Sequence, residues 1–254
     1  MRNIKLKVTY DGSCFHGFQV QPGLTTIQGL LEEGIQALTG ETVKVIGSGR
    51  TDAGVHALGQ VVNFRTTSSI PIARWKPALN SRLPKEVRVI EAQEVPEEFH
   101  ARYSAVAKSY RYLIVTEAPV NPVLDRYSWR IDKPLDRKAM QEAARLLIGR
   151  HDFAAFQTSG SSAQTTIRRV IRSELSLIQG VFPPAWGETT VLAYDITADG
   201  FLYNMVRNIV GWLVKVGEGT LDVAEAAKIF AAGDRSLVGK PAPACGLWLM
   251  EVQY

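Results

Sequence analysis

The chain has 254 residues, of which 46% are hydrophobic, so it can bury the core of one large domain or of two smaller ones and is not a disordered protein. Its net charge is +4, and 18 of its 29 basic residues are arginine, a composition that is compatible with an anionic partner without requiring one. Two cysteines without C-x-x-C spacing fit a reducing compartment.

The first hundred residues switch between strand-like and helix-like patterns. Residues 1–10 alternate as a strand does and lack the continuous apolar core of a secretory signal. The predicted elements are strand 3–10, helix 25–38, strand 42–47, strand 60–66, helix 71–82 and strand 87–95. This β-α-β-β-α-β order is the ferredoxin-like arrangement, an antiparallel sheet with helices on one face and the other face free for binding.

The remaining residues fit a second copy of this plan with insertions. The predicted elements are strands near 105–115 and 126–131, helix 136–148, strands 168–178 and 189–198, helices 202–216 and 222–232, and strand 246–253. The most apolar stretch, 201–216, is shorter than a membrane span and contains Arg207 and Lys215, which argues against a transmembrane helix. We therefore predict a cytoplasmic α+β protein with two ferredoxin-like halves, 1–100 and 101–254, whose sheets meet at a central cleft.

The segment 47–59, GSGRTDAGVHALG, places Arg50 and Asp52 two residues apart among small residues. It does not match a phosphate-binding loop, because Asp52 stands where G-x-G-x-x-G needs glycine and the Walker ending is absent. The four histidines of the chain are scattered, which argues against zinc, and no G-x-S-x-G elbow supports a hydrolase. Two interpretations of Asp52 stay open, a turn-capping side chain before Gly54 or a single reactive carboxylate.

Two segments carry the residue types that contact unpaired bases. The loop 10–23 has aromatic and amide side chains between glycines, namely Phe15, His16, Phe18, Gln19 and Gln21. Rings beside amides are typical of base recognition, although these rings could equally pack in the core. The strand 99–115 sets Lys108 and Tyr110 among other tyrosines and basic residues, a mixture more typical of an RNA-contacting surface than of a core.

Two further segments carry notable arginines. Helix 202–216 is apolar around most of its circumference and has a narrow polar stripe that includes Arg207. Arg207 either extends to the surface or needs a carboxylate such as Asp52, because an unpaired interior charge costs several kcal/mol. The Ser/Thr-rich loop 157–166 leads into Arg168 and Arg169. A solvated loop before an edge strand is the simpler interpretation there, and an RNA contact is the alternative.

Several sequence blocks together closely resemble one enzyme family. They are YDG…FHGFQ.Q, GRTDAGVHA.GQV, FHAR.SA..K.YRY and GF.YNMVRNIVG, followed by GLWL near the end. The resemblance is to the tRNA pseudouridine synthase A family, the tRNA pseudouridine(38–40) synthases, and it runs from residue 8 to the end of the chain. It implies an RNA isomerase that converts uridines 38, 39 and 40 of the tRNA anticodon stem-loop to pseudouridine, acting as a homodimer without a cofactor or a metal.

The resemblance also implies roles for single residues. Asp52 matches the catalytic aspartate of the family, and Tyr110 in KSYRY matches its active-site tyrosine, which could stack on the uracil and take its C5 proton. Arg207 in NMVRN matches the arginine that pairs with the catalytic carboxylate.

Other residues match the substrate contacts of the family or are predicted to bind RNA. Leu247 in GLWL resembles the apolar residue that packs against the uracil, and Arg50 resembles the arginine that helps to displace the target nucleotide. The remaining predicted RNA contacts are Gln19, Lys108, Arg168 and Arg169. The first block departs from the family, which commonly has Trp and a basic residue where this chain has Phe18 and Val20.

Two other classes of function explain part of the sequence. A non-catalytic RNA-binding module of the RRM type would account for the element order and the tyrosines, but the RNP1 pattern is missing. A small-molecule enzyme would account for Asp52, but it gives no reason for the basic and aromatic segments.

Overall fold

The computed structural model describes residues 1–116, 121–158, 160, 164–179, 191–233, 235 and 238–254. The chain forms two compact units, of which the first contains residues 1–106 and 248–254 and the second contains residues 107–247. The sequence predicted two halves with the same topology, 1–100 and 101–254. A division into compact units does not test whether the topology is repeated. No described helix is long and apolar enough to cross a membrane.

The first unit has the β-α-β-β-α-β order expected from the sequence. Its elements are β1 (Arg2–Tyr10), α1 (Ile27–Thr39), β2 (Ile46–Gly47), β3 (His56–Thr66), α2 (Ile72–Asn80) and β4 (Val87–Val95). Strand β1 lies between β3 and β4 and is antiparallel to both. Strand β3 also pairs antiparallel with β2 and parallel with the last strand, β10 (Leu247–Gln253). The six elements predicted for this part of the chain are confirmed, with differences in length.

Strand β2 is shorter than the predicted 42–47 because side chains of α1 take the backbone groups that a sheet would use. The Oε1 of Glu32 accepts a hydrogen bond from the amide of Val45 at 2.9 Å. The Nε2 of Gln28 donates to the carbonyl of Val45 at 3.0 Å. With its polar groups already satisfied, residue 45 does not need a neighbouring strand.

Strand β3 is longer than the predicted 60–66 and begins at His56. The sequence did not indicate this start, because residues 56–59, HALG, contain a glycine and glycine is uncommon in strands. A Cβ at Gly59 would lie 2.3 Å from the carbonyl oxygen of Met250, so the glycine permits the close approach of β10. The loop between β2 and β3 is therefore residues 48–55.

Helix α2 covers one face of the first sheet. Alternate residues of β1, among them Ile4 and Leu6, are fully buried on this face. Trp75 of α2 meets Phe64 of β3 edge-on, with ring centroids 5.2 Å apart. Helix α1 packs beside α2, where a Cβ at Gly34 would come into ordinary contact with Leu79.

The opposite face of this sheet is partly covered, which corrects the expectation of a face free for binding. The Oδ1 of Asn63 accepts a hydrogen bond from the amide of Ala101 at 2.8 Å. The Nζ of Lys5 lies 5.5 Å from the ring centroid of Phe99 and 5.4 Å from that of Tyr254. One end of the face therefore packs against chain segments rather than facing solvent.

The second unit is also of the α+β type, and its strands are mostly antiparallel. Its elements are β5 (Ala107–Thr116), α3 (Pro122–Tyr127), β6 (Trp129–Ile131), α4 (Arg137–Leu146), β7 (Gly149–Asp152), β8 (Ile167–Ile178), β9 (Val191–Ala198), α5 (Met205–Gly217), α6 (Val223–Ala226) and α7 (Ile229–Ala232). The strand order is β6-β5-β9-β8-β7, in which only the pair β5–β6 is parallel.

Two elements of the second unit differ from the predicted strands. The predicted strand 126–131 begins as the end of helix α3, because the Oδ1 of Asn121 caps the amides of Val123 and Leu124 and Pro122 favours the first helical turn. Strand β7 was not expected from the sequence. The strands predicted at 105–115 and 168–178 and the helix predicted at 136–148 are confirmed, as is the described part of strand 189–198.

Two predicted helices also differ from the structure. The helix predicted at 202–216 starts at Met205, because Asn204 has a left-handed backbone with φ +58°. The helix predicted at 222–232 is divided into α6 and α7, and the amide of Lys228 bonds to the carbonyl of Glu225, three residues back, in the tighter 3₁₀ pattern.

Candidate active site

The Asp52 loop (residues 48–55) connects β2 to β3 and presents two charged side chains. The amide of Val55 donates to the carbonyl of Asp52 at 3.1 Å, and Gly54 has a left-handed backbone with φ +80°, so the chain turns back immediately after the aspartate. Arg50 is exposed and Asp52 is half-buried. Both of these predicted functional residues are therefore at least partly accessible to solvent.

A buried hydrogen-bond network lies beneath this loop, formed by the side chains of Tyr10, Ser48, Thr51 and Gln60, which we name the Gln60 network. The Ser48 hydroxyl donates to Oε1 of Gln60 at 2.6 Å, and Nε2 of Gln60 donates to the carbonyl of Gly49 at 3.0 Å and to the Tyr10 hydroxyl at 3.3 Å. The Tyr10 hydroxyl lies 2.8 Å from Oγ1 of Thr51. Burial raises the pKa of Tyr10 to about 12, so its hydroxyl stays protonated well above neutral pH.

The loop 10–23 packs against the Asp52 loop through backbone and ring contacts. The amide of Phe18 donates to the carbonyl of Thr51 at 3.0 Å. The Phe18 ring lies so close to Gly47 that a Cβ there would be 2.4 Å from the ring. Gly17, with φ +86°, would place a Cβ 2.7 Å from the Thr51 carbonyl oxygen. Gly17 therefore permits the close approach of the two loops, and Gly47 at the end of β2 leaves room for the Phe18 ring.

The structure decides between the two interpretations of the aromatic residues in the loop 10–23. Phe15 and Phe18 are buried and pack in the core rather than facing a ligand. The polar residues of the loop remain exposed, namely His16, Gln19 and Gln21. Gln19 thus stays available as a predicted RNA contact.

His56 was not singled out from the sequence as a functional candidate, yet it lies at the junction of these loops. It is fully buried, and its ring stacks on Trp248 with centroids 4.2 Å apart. Its Nδ1 lies 3.1 Å from the amide of Gly12 and 3.2 Å from Oδ1 of Asp11. Because Oδ1 of Asp11 already accepts two bonds from Ser13, we assign Nδ1 as the acceptor of the Gly12 amide. A polar residue at the start of a buried strand was the available signal in the sequence.

In the second unit, Arg207 and Tyr112 hold the segment that leads to β10. The Nε of Arg207 donates to the carbonyl of Ala242 at 2.7 Å, and its Nη1 donates to Oδ1 of Asn204 at 3.1 Å. The Tyr112 hydroxyl donates to the carbonyl of Pro243 at 2.8 Å. Burial raises the pKa of Tyr112, and the nearby Arg207 guanidinium opposes that rise. Arg207 is half-buried, so the apolar helix α5 does not enclose it fully.

The other two predicted active-site residues of the second unit are buried. Tyr110 lies on β5, and its ring contacts Phe201 edge-on with centroids 5.0 Å apart. Leu247 follows Gly246, where a Cβ would lie 2.6 Å from the ring of Tyr112. Tyr110 was expected on an RNA-contacting surface, and most of its ring is instead shielded from solvent.

The predicted basic contacts of the second unit lie on β5 and β8. Lys108 and Arg168 are half-buried, and Nη1 of Arg168 donates to the carbonyls of residues 165 and 167. Arg169 is exposed and lies directly across from the exposed Arg150 of β7. The two guanidinium groups thus lie on one face of the sheet, where like charges directly opposite each other destabilise the pairing. Part of the predicted loop 157–166, residues 159 and 161–163, lies outside the described residues.

Among the residues that the structure describes, no group of three or more His, Cys, Asp or Glu side chains is arranged to hold a metal ion.

Comparisons with known proteins identify the family. A family model described as tRNA pseudouridine synthase matches residues 7–104 and 143–254. A protein of Acetivibrio thermocellus and one of Caldicellulosiruptor bescii are each 45% identical over 254 residues, with 100% of both chains covered. A protein of Halalkalibacterium halodurans is 44% identical over 248 residues, which cover 97% of this chain and 90% of the relative. All three relatives are named tRNA pseudouridine synthase A.

The matched ranges contain most of the predicted site residues, including Asp52, Arg207 and Leu247, whereas Lys108 and Tyr110 lie between the two ranges. The resemblance read from the sequence is confirmed. The chain therefore belongs to the tRNA pseudouridine synthase family, whose members are isomerases that act on uridine in tRNA.

Proposed function

We propose that this enzyme converts the uridines at positions 38, 39 and 40 in the anticodon stem-loop of tRNA to pseudouridine, with Asp52 as the nucleophile. Family membership supports the class of reaction. The position of Asp52 supports its role, because this half-buried carboxylate follows three residues, Ser48, Gly49 and Thr51, that the Gln60 network holds in place. A reacting group needs such a fixed geometry.

The proposed reaction conserves all atoms of the nucleotide. The N1–C1′ bond of uridine breaks, the uracil turns, and a C5–C1′ bond forms while C5 loses its proton and N1 gains one. The base is neither oxidised nor reduced, so the reaction needs no redox cofactor. An ionised Asp52 could attack C1′, attack C6 of the ring or assist loss of the base as a glycal, and each route uses the same carboxylate.

Arg207 is the proposed cationic partner of the catalytic carboxylate, an assignment that rests on the resemblance. Its bonds to the carbonyl of Ala242 and the side chain of Asn204 fix the plane of the guanidinium within its own unit. A fixed, planar guanidinium can orient a carboxylate through two hydrogen bonds and favours its charged form.

Tyr110 and Leu247 are the proposed contacts of the target uracil. The Tyr110 ring, which lies edge to face with Phe201, offers a surface for stacking, and its oxygen can take the C5 proton while the hydroxyl proton passes on to solvent or to N1. Leu247 supplies an apolar surface for the other part of the base. Both assignments rest on the resemblance.

The other predicted RNA contacts, most of them basic, are proposed to bind the body of the tRNA. A nucleotide in a stem must leave the stack before it can react, which costs a few kcal/mol. The exposed Arg50 can occupy the vacated position and contact the phosphate backbone. Gln19, Lys108, Arg168 and Arg169 are proposed to contact the RNA, and the exposed Arg150 joins Arg169 on the same face.

Two ferredoxin-like halves and a cytoplasmic homodimer are part of the same proposal. The order of the elements supports the two halves. The first unit has the order β-α-β-β-α-β, and the second part of the chain contains the same order in β5, α4, β8, β9, α5 and β10. The homodimer and its cytoplasmic location are proposed from the resemblance.

The test uses tRNA with tritium at C5 of its uridines, because isomerisation releases that hydrogen to solvent. Three tRNAs each retain uridine at one of positions 38, 39 and 40, and a fourth retains none of them. Release from the first three and not from the fourth supports the proposal. Release from the fourth tRNA, tRNA binding without release, or neither binding nor release contradicts it, and the last two outcomes are those of a binding module and of a small-molecule enzyme.

A further inference from the structure

We propose that Gln60 is a positioning residue that sets the conformation of the Asp52 loop through the Gln60 network, and that turnover depends on this network while tRNA binding does not. This inference rests on the proposed function, since it takes Asp52 as the reacting carboxylate. Gln60 is fully buried and cannot itself contact a substrate.

The amide of Gln60 uses both of its protons in one orientation. Its Nε2 has two protons, and they bond to the carbonyl of Gly49 at 3.0 Å and the Tyr10 hydroxyl at 3.3 Å. Its Oε1 accepts from the Ser48 hydroxyl at 2.6 Å. The opposite orientation would point Oε1 at the Gly49 carbonyl, placing two acceptors against each other, so the network itself fixes the amide.

The network then reaches the residue that precedes Asp52. The Tyr10 hydroxyl lies 2.8 Å from Oγ1 of Thr51 and is connected through Gln60 to the other end of the loop. A tyrosine hydroxyl is protonated throughout the physiological pH range, and burial raises the pKa of Tyr10 further, so the connection persists there.

The burial of the Gln60 network makes the geometry of the Asp52 loop depend on its hydrogen bonds. Ser48, Gln60 and Tyr10 are at most 3% exposed and Thr51 is 6% exposed, so water has little access to replace a lost partner. These bonds therefore hold residues 48, 49 and 51 against the core, while Arg50 is exposed and Asp52 is half-buried. A displacement of about 1 Å at a reacting group can reduce turnover on the order of a hundredfold, so a buried residue can govern the rate without touching the RNA.

The test compares Gln60→Leu with a matched control, Asn63→Leu. Asn63 is a buried amide on the same strand that bonds to Asn3 and Ala101 instead of the Asp52 loop. Both variants lose buried hydrogen bonds, so we expect similar decreases in melting temperature. We expect kcat for tritium release to fall at least about tenfold in Gln60→Leu with KM within about twofold, and to stay near the wild-type value in Asn63→Leu.

A second pair of variants tests the network at Thr51, and it applies also if Gln60→Leu does not fold. Thr51→Val removes the hydroxyl and keeps the shape, and Thr51→Ser restores the hydroxyl. We expect kcat to fall in Thr51→Val and to recover in Thr51→Ser, which a role in packing alone would not produce.

The outcomes separate this inference from the proposed function. If Asp52→Asn is inactive while Gln60→Leu and Thr51→Val keep the wild-type kcat, or if Asn63→Leu loses as much kcat as Gln60→Leu, the positioning role is overturned and the proposed function stands. If Asp52→Asn turns over normally, the proposed function fails, whatever the network variants do.

Discussion

The hydroxyl of Tyr10 lies 2.8 Å from Oγ1 of Thr51, which joins the last residue of strand β1 to the residue before Asp52. This contact connects the central strand β1 of the first unit to the loop that carries the proposed nucleophile. The conformation of the loop is thereby coupled to the core of the unit, and the stability of that core can be probed at Tyr10 directly.

The first prediction concerns stability at high pH. Burial raises the pKa of Tyr10 from 10.0 to about 12, so the folded state keeps this phenol protonated where the unfolded chain does not. The resulting contribution to the free energy of unfolding is fully present below pH 10. It is lost as the pH rises towards 12, and the total loss is at most about 3 kcal/mol. In Tyr10→Phe, the free energy of unfolding should therefore fall less steeply between pH 10 and 12 than in the wild type.

The control for this experiment is Tyr103→Phe, because Tyr103 is 76% exposed and should not alter the slope. Urea unfolding at a series of pH values measures both variants. A Tyr10→Phe curve parallel to that of the wild type over the whole range would rule out the buried, protonated phenol.

The second prediction concerns the contact of Gly17 with the Asp52 loop. A Cβ at Gly17 would lie 2.7 Å from the carbonyl oxygen of Thr51, and the backbone has φ +86°. Gly40 has a similar φ of +75°, but a Cβ there would meet nothing within 4 Å. We expect Gly40→Ala to cost about 1 kcal/mol of stability with unchanged kcat, and Gly17→Ala to cost more and to lower kcat at least about tenfold.

Thermal unfolding and tritium-release kinetics on the same preparations measure this difference. Equal turnover in Gly17→Ala and Gly40→Ala would show that the Asp52 loop tolerates displacement, which contradicts a loop whose exact position sets the rate.

The third prediction concerns Arg207. Its replacement by alanine removes the hydrogen bonds to the carbonyl of Ala242 and the side chain of Asn204, so we expect a loss of about 1–3 kcal/mol in the free energy of unfolding. We also expect loss of tritium release, because the proposed catalytic carboxylate loses its partner. Arg145→Ala, at an exposed position on α4, should change stability by less than about 0.5 kcal/mol. Normal melting together with normal turnover in Arg207→Ala would refute both roles.

The regular elements were predictable where the hydrophobic period was clear. The alternation of β1 buries Ile4 and Leu6 on one face, and the same pattern in the sequence predicted the strand within a residue at its start. Strand β2 was less predictable, since residue 45 is bonded by Glu32 and Gln28 of α1, and such contacts depend on how the helix packs. Asn204 shows the same limit, because a single left-handed residue moved the start of α5 by three positions.

The proposed reactive residues were more predictable than the residues that support them. Asp52 and Arg50 are charges in a loop of small residues, which is a signal that is visible in the sequence. Gln60 looks like an ordinary polar residue of a strand, and its link to Tyr10 spans 50 positions and depends on the register of β1 against β3. No spacing rule predicts such a partner, because the two strands bring it into contact only after folding.

The role of Asp52 is tested by the turnover of Asp52→Asn on tRNA with tritium at C5 of uridine. The matched control is Asp132→Asn, whose side chain is 85% exposed. We expect Asp52→Asn to melt near the wild-type temperature, to bind tRNA within a few fold of wild type and to release no tritium above background, while Asp132→Asn reacts normally. Substantial tritium release by Asp52→Asn would contradict the assignment of Asp52 as the nucleophile.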